Sequence, residues 1–310
     1  MIYRSALFSF CLLALDILFA APVDAAARFL ICPTTCTITA ADTGVWSASS
    51  GGATGASVPG AADTVTLDAA TCTGGTTCTA TLNFGGTWTI QSFTMGACTA
   101  STTGCIFDNS VNNNNIIATA SSSGFSWTGS GVRVIRWGTA TYTMTNNLAR
   151  WNFTTATNAT TTGSPNVVFS GGTAAKTFDG GGRTYGSVVF GPSSGAGYSA
   201  ITSGNNTIGT LTITGPNYVE FNTALTTTVT TALLANGSAG NPIGIFNNAT
   251  AGTTSTIAVP PDTVLQYVSL RDVTFTGSPI AVNSFDLGGV SGITVTGPTA
   301  GGGGGIIGGN

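Results

Sequence analysis

The chain has 310 residues, a formal net charge of −3 and no histidine, and only 6% of its residues are charged. That balance offers no basic surface for nucleic acid, and with 42% hydrophobic residues it lacks the charged, apolar-poor profile of a disordered chain. Glu occurs once, at Glu220, and good helix formers are scarce, while Thr and Val alternate in short runs broken by Gly and Asn, which predicts β-structure rich in turns.

Residues 1–27 read as a secretory signal peptide. Arg4 supplies the positive start, residues 6–15 are almost unbroken apolar, and small residues follow, with cleavage expected after Ala25 (Val-Asp-Ala) or Ala27 (Ala-Ala-Ala). Asp16 interrupts the apolar run at a cost of about 2.5–3.5 kcal/mol at a helix centre in membrane. It argues against a permanent anchor, which needs about 20 apolar residues, so no membrane contact is expected once the signal is removed.

Cys11 lies in the leader, and the other six cysteines (Cys32, Cys36, Cys72, Cys78, Cys98 and Cys105) fall early in the remaining chain. An even number in an exported protein reads as disulfides. The spacing favours neighbours (32 with 36, 72 with 78, 98 with 105), each pair flanking a Thr- or Gly-rich turn. Loops this short gain about 2 kcal/mol each from the constraint. Zinc sites prefer Cys-x₂-Cys pairs or histidine partners, and the chain offers neither, so no metal or other cofactor is expected.

Residues 28–110 therefore read as a disulfide-stapled N-terminal cap over the first strands, with a clear strand at Asp63-Thr-Val65-Thr-Leu67 and with Trp46 packed beneath it. Such a cap would cover an apolar interior and an unpaired strand edge. Four successive asparagines, at 112–115, suit the corner of a coil, where their side chains hydrogen-bond turn backbone. Trp127, Arg133 and Arg136 are candidate binding residues, an aromatic and weakly basic group suited to a sugar or an acidic glycan. Trp137 and Trp151 occupy inward positions of the repeat described next and read as core.

Three near-copies of one pattern organise residues 111–297: a large apolar residue, two small or polar ones, then apolar, any, apolar. They are Tyr185-Gly-Ser-Val188-Val-Phe190, Ile208-Gly-Thr-Leu211-Thr-Ile213 and Val229-Thr-Thr-Ala232-Leu-Leu234, starting 23 and then 21 residues apart. Looser copies are Ile90/Phe93/Met95, Val132/Ile135/Trp137, Leu148/Trp151/Phe153 and Leu265/Val268/Leu270. A period of this length is the signature of stacked repeats, and the apolar-any-apolar half reads as a strand with one buried face. The fold class predicted is all-β, a right-handed parallel β-helix (β-solenoid). Gly180, Gly181 and Gly182, after Asp179, read as a tight turn, since no Lys-Ser/Thr or helix follows to form a phosphate cradle. Residues 298–310 read as a Gly-rich flexible tail.

Several of these stretches together carry a resemblance. They are the run Trp46-Ser-Ala-Ser-Ser-Gly-Gly-Ala-Thr-Gly-Ala-Ser-Val-Pro59-Gly-Ala-Ala-Asp63, Ala175-Lys176-Thr177-Phe178 with the glycine triplet and Thr184-Tyr185, Asn206-Thr-Ile208-Gly-Thr-Leu211-Thr-Ile213, and Val264-Leu-Gln-Tyr-Val-Ser-Leu270-Arg-Asp272. From about Arg28 to Gly297 the chain resembles Thr/Gly-rich β-solenoid structural proteins of tailed bacteriophages, prophages and some bacteria. The resemblance implies virion or surface association and brings no catalytic residue with it. The leader and the six cysteines point to an exported form.

Function is then expected to be non-enzymatic. The reading is a secreted, cell-surface or virion structural protein with adhesin-like or glycan contacts, touching other surface proteins and compatible with a homo-oligomer. The alternative is a glycan-cleaving β-helix enzyme of the tailspike or pectate-lyase kind, which needs carboxylates gathered on one face. Asp179 and Glu220 are the one pair spaced to share a face across about two coils, and both are expected at solvent-facing turns with no visible acid–base partner.

Overall fold

The computed structural model describes residues 25–298, apart from 74–76, 97–103, 121–123, 130, 154–157, 173–174, 193–198 and 249–251. The leader before residue 25 and the Gly-rich end after 298 lie outside the described residues, as does Cys98. Among the described residues there are strands and no helix. The strands form two twelve-stranded sheets and one of five strands, and nearly every pairing is parallel.

The chain visits the sheets in a fixed order. Thr64–Leu67 lies in the first sheet, Cys78–Asn83 in the five-stranded second, and Trp88–Ile90 in the third; Ser92–Met95 then returns to the first beside Thr64–Leu67. Three further circuits repeat this, through Arg133–Gly138 and Ala159–Gly163 in the second sheet. From Thr177–Asp179 onward the second sheet has no separate strand among the described residues. Longer strands take its place: Thr184–Phe190, Thr207–Thr214 and Thr226–Asn236 run side by side in the third sheet.

The circuits start before residue 110. Ala27–Leu30 already pairs in parallel with Thr64–Leu67, so residues 28–110 contribute strands to the same sheets as the rest. The outer edge of Ala27–Leu30 is covered by the short antiparallel strand Trp46–Ser47. Covering an open edge in this way blocks pairing with another chain. Trp46 is fully buried there, its ring 6.0 Å from that of Trp88.

Alternation along the strands puts one face of every sheet inward. Tyr185, Val188 and Phe190 pair with Ile208, Leu211 and Ile213, a step of 23 residues, and all six are buried. The third copy of the repeat is slipped. A register shift between Ile208 and Thr210 brings Leu233 opposite Leu211, so Leu233 and Ala235 face inward and Leu234 is 45% exposed. Among the looser copies, Val132 and Leu148 are exposed as well, because each precedes its strand; the other members are buried. Aromatic rings fill the interior of the middle circuits: Trp127, Trp137 and Trp151 lie with centroids 5.6–5.9 Å apart. Trp151 Nε1 donates to the Tyr185 hydroxyl at 3.0 Å, which donates to Gly180 O at 2.9 Å.

The corners are held by amides. Asn112 and Asn114 each donate to Leu82 O, at 2.8 and 3.0 Å, while Asn113 and Asn115 accept from the backbone of Thr139 and Thr141 one circuit on. The tight turn expected at the glycine triplet is present, with Gly181 and Gly182 at φ +63° and +71°. Gly204 lies directly on that turn, and a Cβ added to it would fall 2.0 Å from Gly182 N.

Candidate functional site

Side chains on the outward faces are mostly Thr, Ser and Asn, and the first sheet departs from this near its C-terminal end. The strands Asn217–Phe221, Ile243–Asn247 and Val268–Arg271 lie side by side. Val219, Phe221, Ile245, Val268 and Leu270 point inward, so alternation places Tyr218, Glu220, Phe246 and Arg271 outside. Register sets Tyr218 opposite Gly244 and aligns Glu220, Phe246 and Arg271 in one row across the three strands.

The rings of Tyr218 and Phe246 stack, with centroids 5.9 Å apart and planes 26° from parallel. Gly244 makes this possible: a Cβ there would stand 2.3 Å from the Tyr218 ring and 2.8 Å from that of Phe246. The Arg271 guanidinium lies 5.0 Å from the Phe246 centroid on this outer face, a cation–π contact. Burial pushes the Glu220 carboxyl above its ordinary range, and the positive charge of Arg271 pulls it back only in part. Phe285, 47% exposed, sits opposite Ser269 on the next strand, in line with Gly244 and Tyr218. The result is an aromatic pair on the outer face, with Glu220 in the same row and with Arg271, 3.8 Å from the Asp272 carboxylate, over the Phe246 ring. Tyr218, 37% exposed, leaves ring surface open to a ligand ring that carries C–H groups, because the π-face is negative and the C–H edge positive.

The residues singled out from sequence lie elsewhere and do not form a groove. Trp127 and Arg133 are fully buried, so neither reaches a ligand at the surface. Trp127 is inward on Phe125–Trp127, opposite Met95. The Arg133 guanidinium donates to the carbonyls of Met95 and Gly131, both at 3.2 Å, and of Thr128, and burial lowers its pKa. Arg136 is half-exposed and pairs with Asp108 at 2.9 Å. Burial by itself would raise the Asp108 carboxyl; the hydrogen bond from Ser110 and the Arg136 partner outweigh it and hold the group below the usual range.

Register puts Asp179 and Glu220 on the same side of the first sheet, two strands and two residues apart, as their spacing suggested, but their surroundings differ from expectation. Asp179 is buried rather than solvent-facing and has a basic partner: Arg150 donates to it through Nε at 2.8 Å and through Nη2, and the Thr202 hydroxyl donates to its other oxygen. Glu220 sits in mid-strand, not at a turn. The Asp179 carboxylate thus already accepts three hydrogen bonds, two of them from a guanidinium.

Cys32–Cys36 and Cys72–Cys78 are disulfides, each with Cα atoms 5.7 Å apart. The expected partner of Cys105, Cys98, is outside the described residues. Cys105 Sγ lies 2.8 Å from Cys72 Sγ, and the sulfurs of Cys72, Cys78 and Cys105 fall within 4.8 Å of one another, all buried. Cys72 and Cys78 are joined and Cys105 is disulfide-bonded as well, so none of the three sulfurs is a thiolate and the cluster is no metal centre as it stands.

Sequence reasoning missed Tyr218, Phe246 and Arg271. The signal was present in Asn217-Tyr-Val-Glu-Phe and Ile243-Gly-Ile-Phe, where aromatics take outward positions that carry Thr or Ser in other strands. No family model, curated protein or solved structure matches the chain. The resemblance to phage-type structural proteins therefore rests on the quoted motifs alone.

Proposed function

We propose that this chain is a right-handed parallel β-helix, stapled by disulfides at its N-terminal end, that serves as a non-enzymatic exported or virion-associated surface protein and binds a glycan on the outer face of its first sheet. Parallel strands in one sheet joined by crossovers support the handedness, because such connections are right-handed in nearly all proteins. The disulfides support an oxidising compartment. The observation that carries the binding reading is the Tyr218–Phe246 stack, held open by Gly244 and flanked by Glu220 and Arg271.

One observation favours the enzyme alternative. A carboxyl raised by burial, as Glu220 is, can act as a general acid. Hydrolysis of a glycosidic bond needs a second carboxyl within about 5–9.5 Å, and Asp179 is committed to Arg150.

Glycan-array binding followed by titration of the best hit tests both readings. Tyr218→Ala and Phe246→Ala are each expected to weaken binding about tenfold, the worth of about 1.4 kcal/mol for an aromatic contact. Either no bound glycan or affinities untouched by both substitutions would sink the binding reading. Shortening of the bound glycan over time, abolished in Glu220→Gln, would replace it with the enzyme.

A further inference from the structure

We infer that the leader is removed at the Ala25–Ala26 bond and that the α-ammonium so created on Ala26 is captured by the Asp63 carboxylate. The inference rests on reading residues 1–27 as an export signal, and it selects between the two cuts that the small residues allow.

The backbone around Ala26 makes the selection. Ala26 N donates to Asp63 Oδ1 at 3.1 Å, and Ala26 O accepts from Thr64 N at 3.0 Å. Ala27 is the first residue of its strand and pairs with Thr64. Asp63 is only 7% exposed; its second oxygen accepts from Gly60 N at 2.9 Å, and no Arg or Lys forms an ion pair with it among the described residues. The nearest cation in sequence, Arg28, is turned to Ser57. An almost buried carboxylate without a cation is costly, and the nitrogen of Ala26 lies within hydrogen-bond distance of its Oδ1.

Cleavage after Ala27 would strip away Ala26 and Ala27. Thr64 N would lose its acceptor, the Ala27–Thr64 pairing would vanish, and Asp63 Oδ1 would lose its donor. Cleavage after Ala25 keeps all three contacts and adds a charge. A leader-removing endopeptidase hydrolyses the peptide bond: water gives its hydroxyl to the Ala25 carbonyl carbon and a hydrogen to the Ala26 nitrogen. The amine then takes up one more proton at neutral pH. A neutral amide donor becomes an ammonium, and a hydrogen bond between ionised partners is about twice as strong as a neutral one.

The test uses the full chain expressed in a host that exports it. N-terminal sequencing and intact mass of the exported protein are expected to begin at Ala26. A start at Arg28, or at any other residue beyond the leader, overturns the cut position while leaving the export reading intact; a start at Met1 overturns both. Capture by Asp63 is read separately by acetylation with an amine-reactive reagent. Lys176 is the sole lysine and is fully buried, so the α-amine is the reactive group of the folded protein. Acetylation of the α-amine, followed on the N-terminal peptide because unfolding also frees Lys176, is expected to be slower in the folded parent than in Asp63→Asn, and slower than in the parent unfolded in urea. The difference is about tenfold for each pH unit by which pairing raises the ammonium pKa. Equal rates in folded and unfolded parent overturn the capture even where Asp63→Asn fails to fold.

Discussion

Lys176 shows how a single side chain can set the pH response of the whole fold. Its ammonium is fully buried and has no carboxylate partner among the described residues; it donates to Gly191 O at 2.9 Å and Pro192 O at 3.2 Å. Burial lowers its pKa to about 8. An unfolded lysine titrates near 10.4, so between these values the unfolded chain binds more protons than the folded one. Stability then rises with pH across that window. The buried phenols of Tyr142 and Tyr185 work in the opposite sense: burial raises both, so stability falls once pH passes the ordinary tyrosine value near 10. Urea unfolding should show a gain of about 2 kcal/mol from pH 8 to 10, absent in Lys176→Met. A flat profile in the parent would show that the ammonium is not desolvated. None of this was legible in the sequence, where Lys176 was only one residue of a shared motif. Asp179 and Arg150 were equally opaque: their pairing depends on two strands 29 residues apart being stacked in register.

At the scale of one strand, the period was legible and the phase was not always so. Val188 and Leu211 were placed inward by pattern and are inward. Leu234 was placed inward by the same pattern and is exposed, because one extra residue between Val229 and Ala232 shifts the side chains beyond it to the other face. A slip of one residue reverses every side chain after it, and Thr and Ala at these positions carry too little hydrophobic contrast to reveal it. The pair makes a controlled experiment. Leu211→Asp should abolish the cooperative thermal transition, since it loses burial worth about 1.5–3 kcal/mol and leaves an unpaired charge inside. Leu234→Asp should leave the melting temperature nearly unchanged, because the aspartate would stand in solvent. Equal damage from both would mean that the bulge is misplaced and the original phase holds. Tyr218 and Phe246 escaped notice for a related reason: a pattern tuned to inward positions does not score the residues between them.

Over the whole molecule, each circuit touches only its neighbours, so the two ends are where the stack is weakest. The N-terminal end has its first strand covered by Trp46–Ser47 and carries both described disulfides, whereas the C-terminal end exposes Phe285 and Leu287. Cysteine spacing foretold the staples, because short separations can be judged without knowing the fold; the exposed far edge needed the structure. In the chain-entropy account each staple restricts only a loop of a few residues and contributes about 2 kcal/mol. That sum is small against a whole fold and large against the fraying of one terminal circuit. Reduction should therefore act locally. Hydrogen exchange with and without a thiol reductant is expected to show faster exchange in Ala27–Leu30, Thr35–Thr39 and Cys78–Asn83, with no change in Thr207–Thr214 or Asn217–Phe221. Uniform acceleration along the chain would mean that the circuits unfold as one unit, and that the disulfides stabilise the molecule as a whole.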